Sequence, residues 1–281
     1  MPLRHHRNRI AARWQRLGIT AGLIAAVTWF AVFASAATPS VLVYQKNGKG
    51  YVHDNLAASA GAIRELGEQH GFGVEVSTNT AVFNPVTLLR FQAVIFANSN
   101  NEAFDTDEQR AAFQAFICKG GGFVGIHSSS ASERDWTWFQ AMQGGKFLRH
   151  APIQKFTVRV LDLAHPATAH LDANWIRDDE CYFFTRLNPD MQVLLVLDEA
   201  SLRDPELPSS KAEKLKGRYP LAWYQQFEGS RQFYTALGHR IEHYSDPAFR
   251  QHLLGGIRWA LGLAQSPTSQ SGLDRPTVHS K

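Results

Sequence analysis

Three short runs constrain this chain more than any other feature: Val41-Leu42-Val43-Tyr44, Ala93-Val94-Ile95-Phe96-Ala97 and Phe123-Val124-Gly125-Ile126. A strand with one face in water alternates polar and apolar residues. A strand with no polar residue is covered on both faces, as in a parallel sheet held between helices. The intervening segments supply those helices. Asn55 to His70 sets Leu56, Ala60, Ile63 and Leu66 at helical spacing and stops at Gly71. Gly73 to Ser77 alternates as a further strand, and Asp107 to Ile117 reads as a helix carrying Phe113 and Phe116. Strand, helix, strand, helix, strand predicts a doubly wound α/β sheet.

The second half is less regular. Phe156 to Leu161, Val193 to Leu197, Leu221 to Trp223 and Gln232 to Ala236 are strand candidates, several suited to antiparallel extension of the same sheet. Pro247 to Leu261 reads as a closing helix with Leu253, Leu254 and Trp259, and from Gln265 Ser, Pro, Thr and Gln predict a disordered tail. Nothing divides the body, so one domain is expected over 37–264.

The N-terminus stands apart. Arg4, Arg7, Arg9, Arg13 and Arg16 precede an uncharged run, Leu17 to Ala36, that ends in the small residues Ala34-Ser35-Ala36. That is the pattern of a cleaved signal peptide, although about 20 apolar residues can also anchor a chain in a bilayer. Either way the body is expected outside the cytoplasm, periplasmic or secreted, with membrane contact only through an uncleaved N-terminus. Setting residues 1–36 aside changes the charge: 29 Lys and Arg against 25 Asp and Glu become 24 against 25. A near-neutral body has no electrostatic case for nucleic acid and suits a neutral or weakly charged ligand. Cys118 and Cys181 are too few for a disulfide scaffold, and in an exported chain they could pair or stay free. A homo-oligomer is compatible with this composition.

The segment Gly120 to Ser130 delivers a histidine and three serines into the turn after the Phe123 to Ile126 strand. Ligands bind outside the carboxyl ends of strands in such sheets, and the nucleophile elbow exposes its reactive residue at this kind of turn. Here the elbow position is His127, which argues against acyl-enzyme chemistry through a thiol. His53-Asp54 follows the first strand, and His239 follows the Gln232 to Ala236 strand through Gly238. Parallel neighbouring strands would bring His53, His127 and His239 into one pocket.

Such a pocket has two uses. With Glu180 or Asp54 as an oxygen donor, the histidines could hold a divalent metal such as zinc, three protein ligands and a water being the catalytic pattern. Without metal, His127 and Glu180 could act as acid and base on sugar hydroxyls. Glu180 precedes the aromatic run Tyr182-Phe183-Phe184, a setting expected to raise its pKa as a general acid requires. Against both stands the plainer reading of buried histidines satisfied by backbone groups. A glycosidase needs two carboxyl groups; Asp54, Asp135 and Glu242 compete for the second place. Trp136 and Trp138 could offer flat faces to a sugar or belong to the core, and Ser128 and Tyr182 complete the candidate substrate contacts.

Several separated motifs carry a family resemblance: Gly48 with His53-Asp54, Gly120 to His127, Asp135-Trp136 with Trp138, His165-Pro166, Asp179-Glu180 with Tyr182, Pro220 to Trp223, and Tyr234 to His239. On these the chain resembles the ThuA-like family, named for trehalose utilisation, whose fold is similar to class I glutamine amidotransferases. The resemblance implies a flavodoxin-like, mainly parallel sheet. It also implies a small carbohydrate ligand, handled by a glycoside hydrolase, by disaccharide or keto-sugar processing, or by a non-catalytic accessory protein. Because His127 stands where the amidotransferases place cysteine, amidotransferase chemistry is not expected.

Overall fold

The computed structural model describes residues 38–264, so the leader expected over 1–36 and the tail expected over 265–281 lie outside the described residues. The first half alternates as its apolar runs predict: β1 (Ser40–Tyr44), α1 (Leu56–His70), β2 (Gly73–Ser77), α2 (Pro85–Leu88), β3 (Ala93–Ala97), α3 (Asp107–Cys118) and β4 (Gly122–Ile126). Then come α4 (Thr137–Gln143), β5 (Lys146–His150), β6 (Gln154–Val160), β7 (Asn174–Asp179), β8 (Tyr182–Thr185), β9 (Gln192–Leu197), β10 (Pro220–Phe227), β11 (Ser230–Thr235) and α5 (Pro247–Ala260).

The main sheet has nine strands in the order β2-β1-β3-β4-β11-β10-β9-β6-β7, and β5 pairs with β8 in a separate ribbon. From β2 to β11 neighbours run parallel; from β11 outward through β10, β9, β6 and β7 they alternate antiparallel. The antiparallel extensions are therefore present. The Gln232 to Ala236 candidate, observed as β11, is the last parallel strand, which puts its carboxyl end beside those of β4, β3 and β1.

Alternation along each buried strand feeds two cores. Val41 and Val43 of β1 and Ile95 of β3 enter one cluster, while Leu42, Tyr44, Val94 and Phe96 enter the other on the opposite face. Successive side chains point to opposite faces of a strand, so an all-apolar run means two cores. Helix α1 stops where Gly71 takes a left-handed φ of 76°, a conformation that glycine adopts at no steric cost. In α5, a Cβ on Gly255 would lie 2.3 Å from the Ala167 backbone nitrogen; the missing side chain lets the His165 turn pack directly on the helix.

The strands the sequence did not mark are instructive. β5 (Lys-Phe-Leu-Arg-His) and the edge strand β7 (Asn-Trp-Ile-Arg-Asp-Asp) carry charged residues and lack clean alternation, as strands at exposed edges commonly do. Among the described residues no helix is long and apolar enough to cross a membrane. Both cysteines are free, Cys118 exposed and Cys181 buried.

Candidate functional site

His127 stands at the end of β4 with a φ of 49°, in the left-handed region, where a non-glycine residue stores of order 1–3 kcal/mol. The surroundings enforce that geometry. Its carbonyl accepts the Tyr234 hydroxyl at 2.8 Å, and its Nδ1 lies 2.7 Å from the Ala236 carbonyl oxygen. A carbonyl only accepts, so Nδ1 bears the proton, and in the neutral ring Nε2 keeps its lone pair; the ring itself is fully buried. The Tyr182 hydroxyl meets Nε2 at 2.9 Å. Burial pushes the Tyr182 phenol well above its ordinary pKa, so this hydroxyl keeps its proton and donates.

His239 is carried over the same rim by the end of β11. Asp179, fully buried, accepts from the backbone N–H groups of Gly238 at 2.9 Å and His239 at 3.2 Å. Asn55 donates to the carbonyl oxygens of the same two residues, each at 2.7 Å. So clamped, His239 places Nδ1 3.3 Å from His127 Nε2 and 3.2 Å from Glu180 Oε2. His53 enters from the loop after β1, its ring centroid 4.9 Å from that of His127 and 5.2 Å from that of His239. It is 5% exposed, and its Nδ1 is buried without a hydrogen-bond partner. Burial, reinforced by the neighbouring imidazoles, lowers its pKa to about 3.

Glu180 behaves opposite to expectation. Burial does push its carboxyl up, but contact with the two imidazoles outweighs burial, His239 at 3.2 Å being the one placed to donate, and the net direction is well below the ordinary carboxylate value. His239 shows the partner effect: burial pulls it down, Glu180 more than compensates, and its pKa is raised. Glu180 is thus an anion beside a proton-holding imidazole, not a neutral general acid. One ligand-capable atom from each of His53, His127, Glu180 and His239 lies within 4.8 Å of the others.

His53, Glu180 and His239 of this cluster, with Ser128 and Tyr182, line a cavity of about 620 Å³, a volume in the range of small-molecule sites; His127 is fully buried behind them and does not line it. The Ser128 hydroxyl is buried without a partner. Asp54 is exposed, and its charge contributes a minor part of the rise in the His239 pKa. Trp136 and Trp138 do not line this cavity. Their rings stack on each other at 5.0 Å and meet Phe104 and Phe113 edge to face at 6.0 and 6.2 Å, and the Trp138 indole N–H donates to Glu228. Of the candidates for a second carboxylate, Asp54, Asp135 and Glu242 are all exposed and outside the lining; Glu206 lines it instead, paired with Arg149 at 3.2 Å. Sequence reading also missed Tyr51, Arg134, Phe147 and His150 in the lining. His150 sits on the unmarked β5, with Nδ1 3.4 Å from Glu180 Oε1, and no motif signalled it.

The parallel core, the strained residue after β4 and the strand-end pocket define a class I glutamine amidotransferase-like α/β protein whose elbow holds an imidazole in place of a thiol. The family model described as ThuA, trehalose utilisation, matches residues 40–260, and the chain belongs to that family. Among solved structures it is similar to a ThuA-like protein from Bacteroides uniformis, with 23% identity and a TM-score of 0.64 over 85% of this chain and 97% of that one. A second ThuA-like protein, from Parabacteroides merdae, matches at 17% identity and a TM-score of 0.59, covering 80% of this chain and 90% of that one. An α-L-fucosidase from Paenibacillus thiaminolyticus shares the fold at 13% identity and a TM-score of 0.53, over 80% of this chain and 33% of the enzyme. A search of curated proteins finds no match.

Proposed function

We propose that this chain is an exported enzyme of carbohydrate processing, acting on a glycoside or on the keto form of a disaccharide in the cavity beside Glu180. The observation that carries the reading is the convergence of His53, His127, Glu180 and His239 from four separate chain segments, three of them on one cavity wall with the fully buried His127 directly behind. Perturbed titratable groups gathered in a cleft mark functional sites more often than structural ones. The family's description as trehalose utilisation supports a sugar as ligand, and the arginine-led apolar leader supports export.

The chemistry of the pocket is acid–base in character. Tyr182 keeps its proton and gives it to His127, which leaves its oxygen as an acceptor for a sugar hydroxyl, while His239 lies 3.2 Å from the Glu180 carboxylate. A two-carboxylate glycosidase needs a protonated acid opposite a second carboxylate. Glu180 is held ionised and Glu206 is engaged by Arg149. That balance favours processing at a sugar carbonyl or hydroxyl over simple two-carboxylate hydrolysis.

Incubating the protein with trehalose, other disaccharides and their keto forms, with product analysis, tests the reading. Product formation that disappears in His127→Asn supports it. Saturable binding without product would establish the accessory sugar-binding role instead, and neither binding nor product would remove the carbohydrate reading.

A further inference from the structure

Three atoms of this pocket are spaced as the face of a metal coordination tetrahedron. His127 Nε2 to His239 Nδ1 is 3.3 Å, His127 Nε2 to Glu180 Oε2 is 3.4 Å, and His239 Nδ1 to Glu180 Oε2 is 3.2 Å. Tetrahedral zinc with bonds of about 2.0–2.1 Å requires edges of about 3.3–3.4 Å between ligand atoms. Two nitrogens and a carboxylate oxygen from three chain segments match that spacing on two edges and fall just short of it, at 3.2 Å, on the third. We infer that His127 Nε2, His239 Nδ1, Glu180 Oε2 and one nitrogen of His53 bind a single divalent transition-metal cation.

Three further observations point the same way. The ring of His53, nine-tenths buried, faces the other two imidazoles, and its Nδ1 has no partner in the protein; a buried polar atom without a partner is costly unless a ligand satisfies it. His127 donates its other ring proton to the Ala236 carbonyl oxygen, the outer-shell hydrogen bond that orients metal-binding histidines. Three nitrogens and one carboxylate oxygen match the preference of zinc rather than of magnesium or calcium. Asp54, the alternative oxygen donor, is exposed and outside the cluster.

The assignment rests on the proposed function for its location and deepens it. The cation takes the place of the proton shared by Glu180 and His239, and that proton leaves to solvent. The lone pair of His127 Nε2 that accepts the Tyr182 hydroxyl turns to the cation. The freed hydroxyl then faces whatever oxygen, from water or sugar, enters the metal's coordination sphere. No electron is transferred, and only metal–ligand bonds form.

The test uses the full chain, purified without a histidine tag, stripped with chelator and titrated with Zn²⁺ and Co²⁺. One cation per chain by elemental analysis, visible absorption typical of four-coordinate Co²⁺ and a raised Tm on Zn²⁺ addition are expected. Glu180→Gln, close to isosteric, is expected to weaken Zn²⁺ binding at least about tenfold, the loss common even for partners one shell further out. Tyr182→Phe is expected to retain full stoichiometry, because that hydroxyl is a competitor for His127 and not a ligand. Binding well below one equivalent, or Zn²⁺ affinity unchanged in a folded Glu180→Gln variant, overturns the metal site. Sugar processing by a protein that takes up well below one equivalent of Zn²⁺ refutes the metal while sparing the proposed function; full Zn²⁺ occupancy with neither sugar binding nor turnover does the reverse.

Discussion

The Asp179 carboxylate accepts the backbone N–H of His239 at 3.2 Å, so the residue just before Glu180 fixes the loop that brings Glu180 its partner. The same carboxylate accepts from Gly238 at 2.9 Å and from the Glu180 backbone at 2.9 Å. One buried side chain therefore ties the end of β11 to the Asp179–Tyr182 segment, and the distance between Glu180 and His239 follows from it.

Asp179→Ala leaves two or more buried N–H groups unpaired, each costing about 1–3 kcal/mol. Chemical denaturation is expected to show a stability loss of at least about 2 kcal/mol, with Asp179→Asn milder because the amide oxygen still accepts. Equal stability of Asp179→Ala and the parent would contradict the clamp.

His127→Asn separates backbone from chemistry. Asparagine tolerates a positive φ better than most residues, so the elbow is expected to keep its shape while the imidazole is lost. Circular dichroism should be unchanged and sugar turnover should fall by two orders of magnitude or more, the usual scale of a lost acid–base group.

Acid stability follows from two histidines away from the site. His165 Nδ1 accepts the Ala167 N–H at 3.1 Å, and His252 Nδ1 meets the Ala167 carbonyl oxygen at 2.7 Å. Burial holds their pKa values at about 4 and about 3. The unfolded chain, with imidazole pKa values near 6.5, binds protons first as pH falls. Stability is fully present above about pH 6.5 and declines toward pH 4 by up to about 1.4 kcal/mol per pH unit for each group. Denaturant midpoints measured between pH 7 and pH 4 should fall, and a flat profile would count against it.

Gly255→Ala tests the seat of that same turn. Its Cβ would lie 2.3 Å from the Ala167 nitrogen and 2.4 Å from the Pro166 carbonyl carbon, and backbone cannot yield as a side-chain tip can. A loss of about 1–3 kcal/mol in denaturant unfolding is expected.

The parallel half of the sheet was legible because residues such as Ile95 and Phe96 must each find a core on opposite faces. The convergence of His53, His127 and His239 was legible from topology, since strands ending on one rim bring their loops together. The ionisation of Glu180 was not. The Tyr182-Phe183-Phe184 run announces burial, which raises a carboxyl, whereas its charge partners lie at positions 127 and 239 and no spacing reveals the 3.2 Å contact. His150 and Phe147 escaped notice because β5 is held by pairing with β8 rather than by its own pattern. Trp136 and Trp138 show the opposite hazard: a motif suggestive of sugar binding is anchored in the aromatic core.

The most direct test of the central claim is a crystal structure of the protein soaked with a disaccharide and, separately, with its keto form. Sugar density is expected in the cavity, with an oxygen in hydrogen-bonding range of Glu180, His239 or Tyr182. Sugar bound instead on the Trp136–Trp138 face, with the histidine cavity holding only water at saturating ligand, would contradict it.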